Sequence, residues 1–546
     1  MSAADVSRLA LYPRETGGLV AGETARSVIE AVEAKGVVSR VSPLSVAQPP
    51  NAHSGRALCH TTGINGTLKY NGFCFDEVDE KTSAWSGGWH NQGLTASHDA
   101  DASGKVDGAH LYMASWYYGT GDAEADRNKK ARISIVQSTG TAWTYGHVLL
   151  VQPTGSRANP NFTSVNDIHA DGIVWYGDRL FVANGGELQI YDLNHLWQVN
   201  SVSGGSGVSG STSAAEWHQW ALPMVARYSN RTKAQQDAAP WDKKSDMFCD
   251  WPIACLNSLS LDRGVTPPRL VSGRFSGERA KAVVARWPVD EIGEGRSAPV
   301  TAEAAYVAPT LKMQGVATDG YYYYMAADCE DHLQEFNVDP VATHNPQHPF
   351  TCIWQATPGG RLSFLTRVPP LTQNLSFSQQ SGRLWGMSEV NNHRAVFSLL
   401  PRAADRYEYL WNDYSRLCTS VYGTLHWNQP VKQSGCDYAE DERWQFEETE
   451  DNNGDLAYFI RSTFSGVCMT PRRNLGNGAR IVQYSCDGDV DKKWWWNPVT
   501  HEIRNVYSGK CLGLGAEATN GSPLIQWPCN GLKDERWSKG PVPLGS

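Results

Sequence analysis

Apolar and polar residues alternate in short runs through most of the chain, and the runs recur. From Asp171 the order is Gly172-Ile173-Val174-Trp175-Tyr176, a Gly177-Asp178 turn, Arg179-Leu180-Phe181-Val182-Ala183, then Leu188-Gln189-Ile190-Tyr191-Asp192-Leu193. Runs of this length, rich in β-branched and aromatic residues and punctuated by Gly and Asp, predict strands joined by tight turns. Looser units start at Gly93-Leu94, Leu259-Ser260-Leu261, Gly315-Val316 and Leu375-Ser376-Phe377. Their closing strands are Ile133–Val136, Val283–Trp287, His332–Val338 and Val396–Leu399. Repeated short-strand units of this kind predict an all-β fold with a β-propeller over residues 58–402, each unit a blade. Five blades is the count these starts give, and six or seven stay open. A different period occurs only near the start: Ala25, Val28, Ile29 and Val32 share one face of a helix within Glu23–Lys35, and Gly36 stops it. This helix belongs to an N-terminal arm, residues 1–57, that ends in the extended Pro43…Pro49-Pro50 stretch. So short a helix buries little alone and must dock on its own domain or on a partner.

The last third carries a stricter repeat. Cys418 and Cys436, Cys468 and Cys486, and Cys511 and Cys529 are each 18 residues apart, and Trp444, Trp494 and Trp537 each follow eight residues after the second cysteine. The third copy reads Asn505-Val506-Tyr507-Ser508-Gly509-Lys510-Cys511-Leu512, then Ile525-Gln526-Trp527-Pro528-Cys529-Asn530-Gly531, then Arg536-Trp537. This triplication resembles the ricin-type β-trefoil family over about residues 405–540, which sets a third domain at 403–546. The resemblance implies three units around a pseudo-threefold axis. The repeat tryptophans are then core residues and each cysteine pair closes a hairpin loop.

The same resemblance implies where sugar binds. A member of the family uses a carboxylate two residues after the first cysteine, an aromatic two residues before the second, and a polar pair before the repeat tryptophan. Here the carboxylate position holds Ser420, Thr470 and Gly513, and the aromatic position holds Ser434, Tyr484 and Trp527. The Asn position holds Asp441, Asp491 and Asp534, and the Gln position Glu442, Lys492 and Glu535. The first repeat has lost its platform, and the missing acids put simple galactose recognition in doubt. The third repeat keeps Trp527, Asn530 and Asp534, and the second keeps Tyr484, Asp487 and Asp491. Aromatic faces suit the apolar C–H face of a pyranose, while its hydroxyls need fixed polar partners. The alternative is a trefoil that binds protein or acts as a spacer.

Charge and cysteine usage narrow the setting. A net charge of −9 without a basic block excludes a nucleic-acid partner. Twelve cysteines falling into local pairs predict an oxidising compartment, hence a secreted protein. Outside the repeats the expected disulfides are Cys59/Cys74, Cys249/Cys255 and Cys329/Cys352. No apolar run approaches the roughly 20 residues of a membrane span, and residues 1–20 lack a signal core, as in a mature chain.

Candidate chemistry is sparse. Asp99-Ala-Asp101-Ala-Ser103-Gly104-Lys105-Val106-Asp107 spaces oxygen ligands as a calcium loop does, with Lys105 lending its carbonyl. Position twelve is His110, so the loop is not an EF-hand, and an Asp-rich turn is the alternative. Asp167, Asp171, Asp319 and Asp328 lie near blade starts and supply the raw material for a carboxylate pair in a propeller channel. His90, His98 and His169 show no ligand spacing. The expected function is a secreted, non-catalytic carbohydrate-binding lectin, and the alternative is a glycoside hydrolase with a propeller catalytic domain. The propeller-plus-trefoil layout resembles the lectin component of actinobacterial umbrella toxin particles. That resemblance implies a targeting subunit docked on an adaptor protein and directed at competitor cell surfaces.

Overall fold

The computed structural model describes the chain except residues 83–86, 120–129, 141, 239–248, 250–252, 331–332, 334–335, 338–347, 406, 516 and 541–546. The N-terminal strands form five antiparallel four-stranded units. The first is Gly88–Ala96, Leu111–Gly119, Ala131–Ser138 and Trp143–Gly155. The second is Gly172–Tyr176, Arg179–Asn184, Glu187–Asp192 and Trp220–Ser229. The third is Ser258–Asp262, Arg269–Gly273, Val283–Pro288 and Ala304–Val307. The fourth is Gly315–Thr318, Tyr323–Asp328, Thr351–Ala356 and Ser363–Val368. The fifth takes Thr372–Ser378, Arg383–Ser388 and Val396–Leu399 from late in the chain and Asn71–Cys74 from early in it.

The first strands of the five units pack side by side in a closed ring, which makes this region a five-bladed propeller. Each sequence-expected blade start lies in one of these innermost strands. The third strand of the fourth blade, however, is Thr351–Ala356 and not the expected His332–Val338, which falls largely outside the described residues. Each pair of neighbouring blades buries its own apolar cluster. Trp175 and Leu180 lie between blades one and two, Val174 and Leu259 between two and three, Val316 and Trp354 between three and four, Leu375 and Tyr324 between four and five, and Trp116 and Met387 between five and one. Stitching the last blade with an early strand joins the two ends of the ring and leaves no unpaired gap in it.

Residues 1–57 lie across this ring. Ser2–Ala3 pairs with Ala304–Val307, Ala10–Arg14 with Trp220–Ser229, and Val38–Arg40 with Trp197–Val199. His53–Ala57 pairs with strands of both the fifth and first blades. The helix is Ala25–Ala34, capped by a reciprocal Thr24–Ser27 box that satisfies orphan N–H groups. It buries Ala25, Val28, Ile29 and Val32 and packs on the outer strands of blades one and two.

The C-terminal strands build the trefoil, closed by pairing Glu408–Asn412 with Trp537–Gly540. Trp444, Trp494 and Trp537 are fully buried in one core. Each donates its indole N–H to a carbonyl 25 residues upstream, that of Thr419, Met469 or Leu512, at 3.1, 3.0 and 2.8 Å. All six expected disulfides form: Cys59–Cys74, Cys249–Cys255, Cys329–Cys352, Cys418–Cys436, Cys468–Cys486 and Cys511–Cys529. The two domains touch where Asn65 donates to Gln445 (2.8 Å) and the Gly66 N–H to Glu447 (2.7 Å). Among the described residues no helix is long and apolar enough to cross a membrane.

Candidate functional site

The three trefoil repeats share a backbone but not a surface. In the first, Asp441 is consumed internally, accepting from the Ser420 hydroxyl (2.7 Å) and the Gly423 N–H (2.8 Å). In the second, Asp491 accepts from the Thr470 hydroxyl (2.9 Å) and the Arg473 N–H (3.1 Å). The hydroxyl residues that replaced the family acid thus cap the neighbouring carboxylate. In the third repeat that position is Gly513, which has no side chain to spend, and among the described residues no side-chain donor is placed on the Asp534 carboxylate.

The aromatic platforms differ in the same way. Trp527 is 43 % exposed on the last strand of its hairpin, with one edge against Gly478. Asn530 is exposed beside it, its carboxamide oxygen accepting the Leu532 N–H at 2.9 Å. Tyr484 is only half-exposed, and its face is taken: the Arg472 guanidinium sits 4.0 Å above the ring and Trp427 packs at 4.8 Å. Beneath it, Lys492 bridges Asp487 (2.8 Å), Asp491 (3.3 Å) and Asp489 (3.4 Å). Burial pushes the Asp487 carboxyl up, but Lys492 and Ser485 outweigh it and hold it below the usual range. The second repeat's residues are therefore brought together as an ion network, while the third's remain open. Arg472 and Lys492 carry no family signature, which is why sequence alone left Tyr484 looking available.

The Gln position of the first repeat has become a buried acid with a measurable consequence. Glu442 is fully buried; its Oε2 accepts the Asp437 N–H (3.2 Å) and Ser434 lies beside its carboxyl. Burial pushes the Glu442 carboxyl up to about 7. The folded protein then holds this proton more tightly than the unfolded chain. The stability it contributes is complete below about pH 4.5 and is lost as pH rises through about 7. Glu442→Gln supplies a neutral isostere, so the variant should melt a few degrees above wild type at pH 7.5 and close to it at pH 4.5. Parallel melting-temperature profiles for the two proteins would contradict this.

In the propeller, each blade has an even number of strands. The chain therefore leaves a blade at the end where it entered, and all five innermost strands run the same way. Asp167 and Asp171 precede an innermost strand, and Asp328 ends a strand antiparallel to one. These three lie at the entry end. Asp319 follows its strand and lies at the opposite end, where it accepts from Tyr324 (2.8 Å) and pairs with Arg402 (2.7 Å). It cannot act with the others. The entry end instead gains Glu389, which the sequence reading missed because nothing in its local pattern marks it. Glu389 lies 3.3 Å from His90, and Asp171 lies 2.7 Å from His169, whose ring stacks on Tyr117. Burial raises the Glu389 pKa, but His90, His169 and Gln92 outweigh it and hold it below the usual range. His98 is buried against Ser376 (2.7 Å).

The Asp99–Asp107 segment splits between a buried Asp99 and an exposed turn. Asp99 is fully buried in the short helix Ser97–Ala100, its Oδ2 accepting from Thr95 (2.7 Å) and Ser376 (2.8 Å). Asp101, Ser103, Lys105 and Asp107 are exposed. Asp101 caps the Ser103 N–H at 2.8 Å, and Ser103 reaches the Lys105 carbonyl at 3.4 Å. As folded, Asp101 and Ser103 form an Asx turn, and the Asp99 Oδ1 is buried without a hydrogen-bond partner.

A further arrangement has the order of a nucleophile, base and acid: Ser134, His147 and Asp79, at 3.0 and 2.9 Å. Ser134 is fully buried and already accepts the Trp116 indole N–H (2.7 Å), so no substrate reaches its hydroxyl and the set is structural.

Residues 406–537 match the family model described as a ricin-type beta-trefoil lectin domain. No curated protein matches the chain. Among solved structures, the designed three-fold symmetric protein ThreeFoil is 22 % identical, with 25 % of this chain and 99 % of that one covered and a TM-score of 0.23. A lectin from Polyporus squamosus, bound to a sialylated influenza-binding epitope, is 17 % identical over 24 % of this chain and 48 % of its own, with a TM-score of 0.21. An exo-beta-1,3-galactanase from Clostridium thermocellum is 11 % identical over 83 % of this chain and 96 % of its own, with a TM-score of 0.32.

Proposed function

With a ricin-type lectin domain at residues 406–537 as the premise, we propose that this protein is an extracellular carbohydrate-binding protein whose sugar contact is the third trefoil repeat. The observation that carries this is the pairing of an exposed indole, Trp527, with a carboxylate, Asp534, that no hydroxyl side chain caps because Gly513 replaces Ser420 and Thr470 of the other repeats. Six disulfides support the extracellular setting. A single repeat implies weak binding of one sugar, so polymers that engage several copies are the better ligands. Retention on insoluble glycans and cell walls tests this, with Trp527→Ala and Tyr484→Ala as the separating variants. The finer reading, a targeting subunit carried by an adaptor protein in a toxin particle, rests on domain order alone.

One observation favours a second, hydrolytic reading: Asp171 and Glu389 stand at one end of the channel, each held by a histidine. A glycosidase needs two carboxylates flanking the scissile bond. On this reading, wild type releases reducing ends from a polysaccharide and Glu389→Gln stops the release. A glycan-retained wild type that releases none would leave binding as the whole function.

A further inference from the structure

The first blade carries a cleft that the lectin reading leaves unused. It measures about 820 Å³ and lies between the first blade, which contributes Trp89, Tyr118, Arg132 and His147, and the segments that flank the Ser206–Ala215 hairpin, which contribute Gly204 and Trp217. That size suits a short oligosaccharide, since pockets for small ligands run from roughly 300 to 1,000 Å³. One wall is Trp217, 73 % exposed. Its backbone and that of Glu216 are both left-handed, at φ 68° and 46°, a conformation that bulky side chains adopt only when the surroundings impose it. Here the Trp217 N–H donates to the Ser203 carbonyl (2.7 Å) and the Glu216 N–H to that of Gly205 (2.8 Å). Gly204 leaves room for the indole, since a Cβ there would lie 3.1 Å from its nitrogen. The main chain at Trp217 is thus fixed, and the indole lies beside Gly204 with most of its surface in water.

The facing wall is Trp89, set edge-to-face against His218 (5.6 Å) and Tyr118 (5.3 Å). The floor is a buried charge network. Arg132 lies 4.4 Å over the Trp89 ring and bridges Asp79 at 2.6 Å, while Tyr145 and His147 also bond Asp79, at 2.8 and 2.9 Å. The Arg132 Nε is buried and has no hydrogen-bond partner. At the rim Lys130 pairs with Glu216. Burial beside Arg132 pushes His147 down to about 4, so it stays neutral at ordinary pH. Asp79 is thus matched by Arg132 and Glu216 by Lys130. His53, which also lines the cleft and is held above the ordinary histidine range by Asp76, is paired with that carboxylate just behind the lining (2.8 Å), so a charged ligand finds no unpaired charge of either sign. One open indole, Trp217, opposite a Trp89 whose ring face is already covered by Arg132, over a polar floor of paired charges, matches a chain of uncharged pyranoses, with an apolar C–H face for the indole and hydroxyl edges for the floor.

We infer that this cleft, framed by Trp217, Trp89 and the Arg132–Asp79 pair, is a second carbohydrate site that takes an uncharged oligosaccharide. It takes its ligand class from the glycan-binding reading, and it makes the protein bivalent, so that the trefoil and propeller engage one polymer together and avidity multiplies two weak contacts.

The test compares full-length wild type, Trp217→Ala, Trp527→Ala and the double variant. The probes are insoluble cellulose, xylan, mannan and galactan, and the soluble four-unit oligosaccharides of each. Trp217 is largely exposed, so its replacement should leave melting unchanged. On at least one neutral polymer, Trp217→Ala should lower retention about threefold or more, and the double variant should fall below either single one. A soluble oligosaccharide should shift indole emission in Trp527→Ala but not in the double variant. A Trp217→Ala variant retained like wild type, a double variant no weaker than Trp527→Ala, or a wild type retained on none of the four polymers overturns the inference. If Trp527→Ala alone matches wild type while Trp217→Ala falls, the trefoil reading fails and this one stands.

Discussion

Replacing Gly172 by alanine should destabilise the propeller by more than about 3 kcal/mol, beyond the usual range for point substitutions. Gly172 opens the innermost strand of the second blade, and its Cα faces the backbone of the third. A Cβ built there would lie 2.3 Å from the Leu259 nitrogen, 2.8 Å from the Ser258 carbonyl carbon and 2.9 Å from its Cα. All three are backbone atoms, so no side chain can swing aside. The innermost strands must then separate, and the ring transmits the separation to the cluster around Val174 and Leu259 between these blades. Gly93 and Gly315 make equivalent approaches to Ile173 and Gln373, so the close packing is a property of the ring. Gly277→Ala is the control, because nothing lies within 4 Å of a Cβ there. Denaturant unfolding should show a large loss for the first variant and little change for the second. Equal midpoints for Gly172→Ala and wild type would contradict the ring packing described above.

Trp527→Ala should weaken glycan binding about tenfold or more, a loss of about 1.4 kcal/mol at least, which stacking plus lost burial readily supplies. The fold should survive, since Trp527 is outside the core formed by Trp444, Trp494 and Trp537. Tyr484→Ala should change binding by less than about threefold, because Arg472 already occupies the ring face and a sugar gains little from what it cannot reach. Dissociation constants for a soluble glycan, measured at matched protein stability, separate the two. Equal affinities for wild type and both variants would move the trefoil to a protein-binding role.

Where local pattern and final structure coincide, the reason is short range. The trefoil was legible from Cys418 to Trp537 because a threefold repeat must place the same residue types in the same three environments. Three equal cysteine spacings therefore also gave three equal disulfides, and three tryptophans gave one core. Two of the blade starts, Gly172 and Gly315, open their innermost strands, and Gly93 lies within one; at all three only glycine lets neighbouring backbones approach so closely. In the fourth blade the third strand is Thr351–Ala356 and not the expected His332–Val338, since an alternating run satisfies strand periodicity without saying which blade it joins.

What the sequence by itself determined is the set of elements whose cause is local or repeated: short strands, a capped N-terminal helix, six disulfide pairs and the trefoil core. Only the tertiary structure decided which of the chemically similar side chains remain free. Asp441 and Asp491 are spent on hydroxyls while Asp534 is not, Tyr484 is covered while Trp527 is open, and Asp99 is turned inward away from Asp101. Glu389 and Asp171 share one end of the channel although 218 residues separate them, and Trp217 faces Trp89 across a cleft that neither sequence neighbourhood announces. The physical reason is common to all of these. A carboxylate or an indole is available to a ligand only if no donor or ring folded beside it takes the contact first, and the identity of that neighbour is fixed by strand order and not by spacing along the chain.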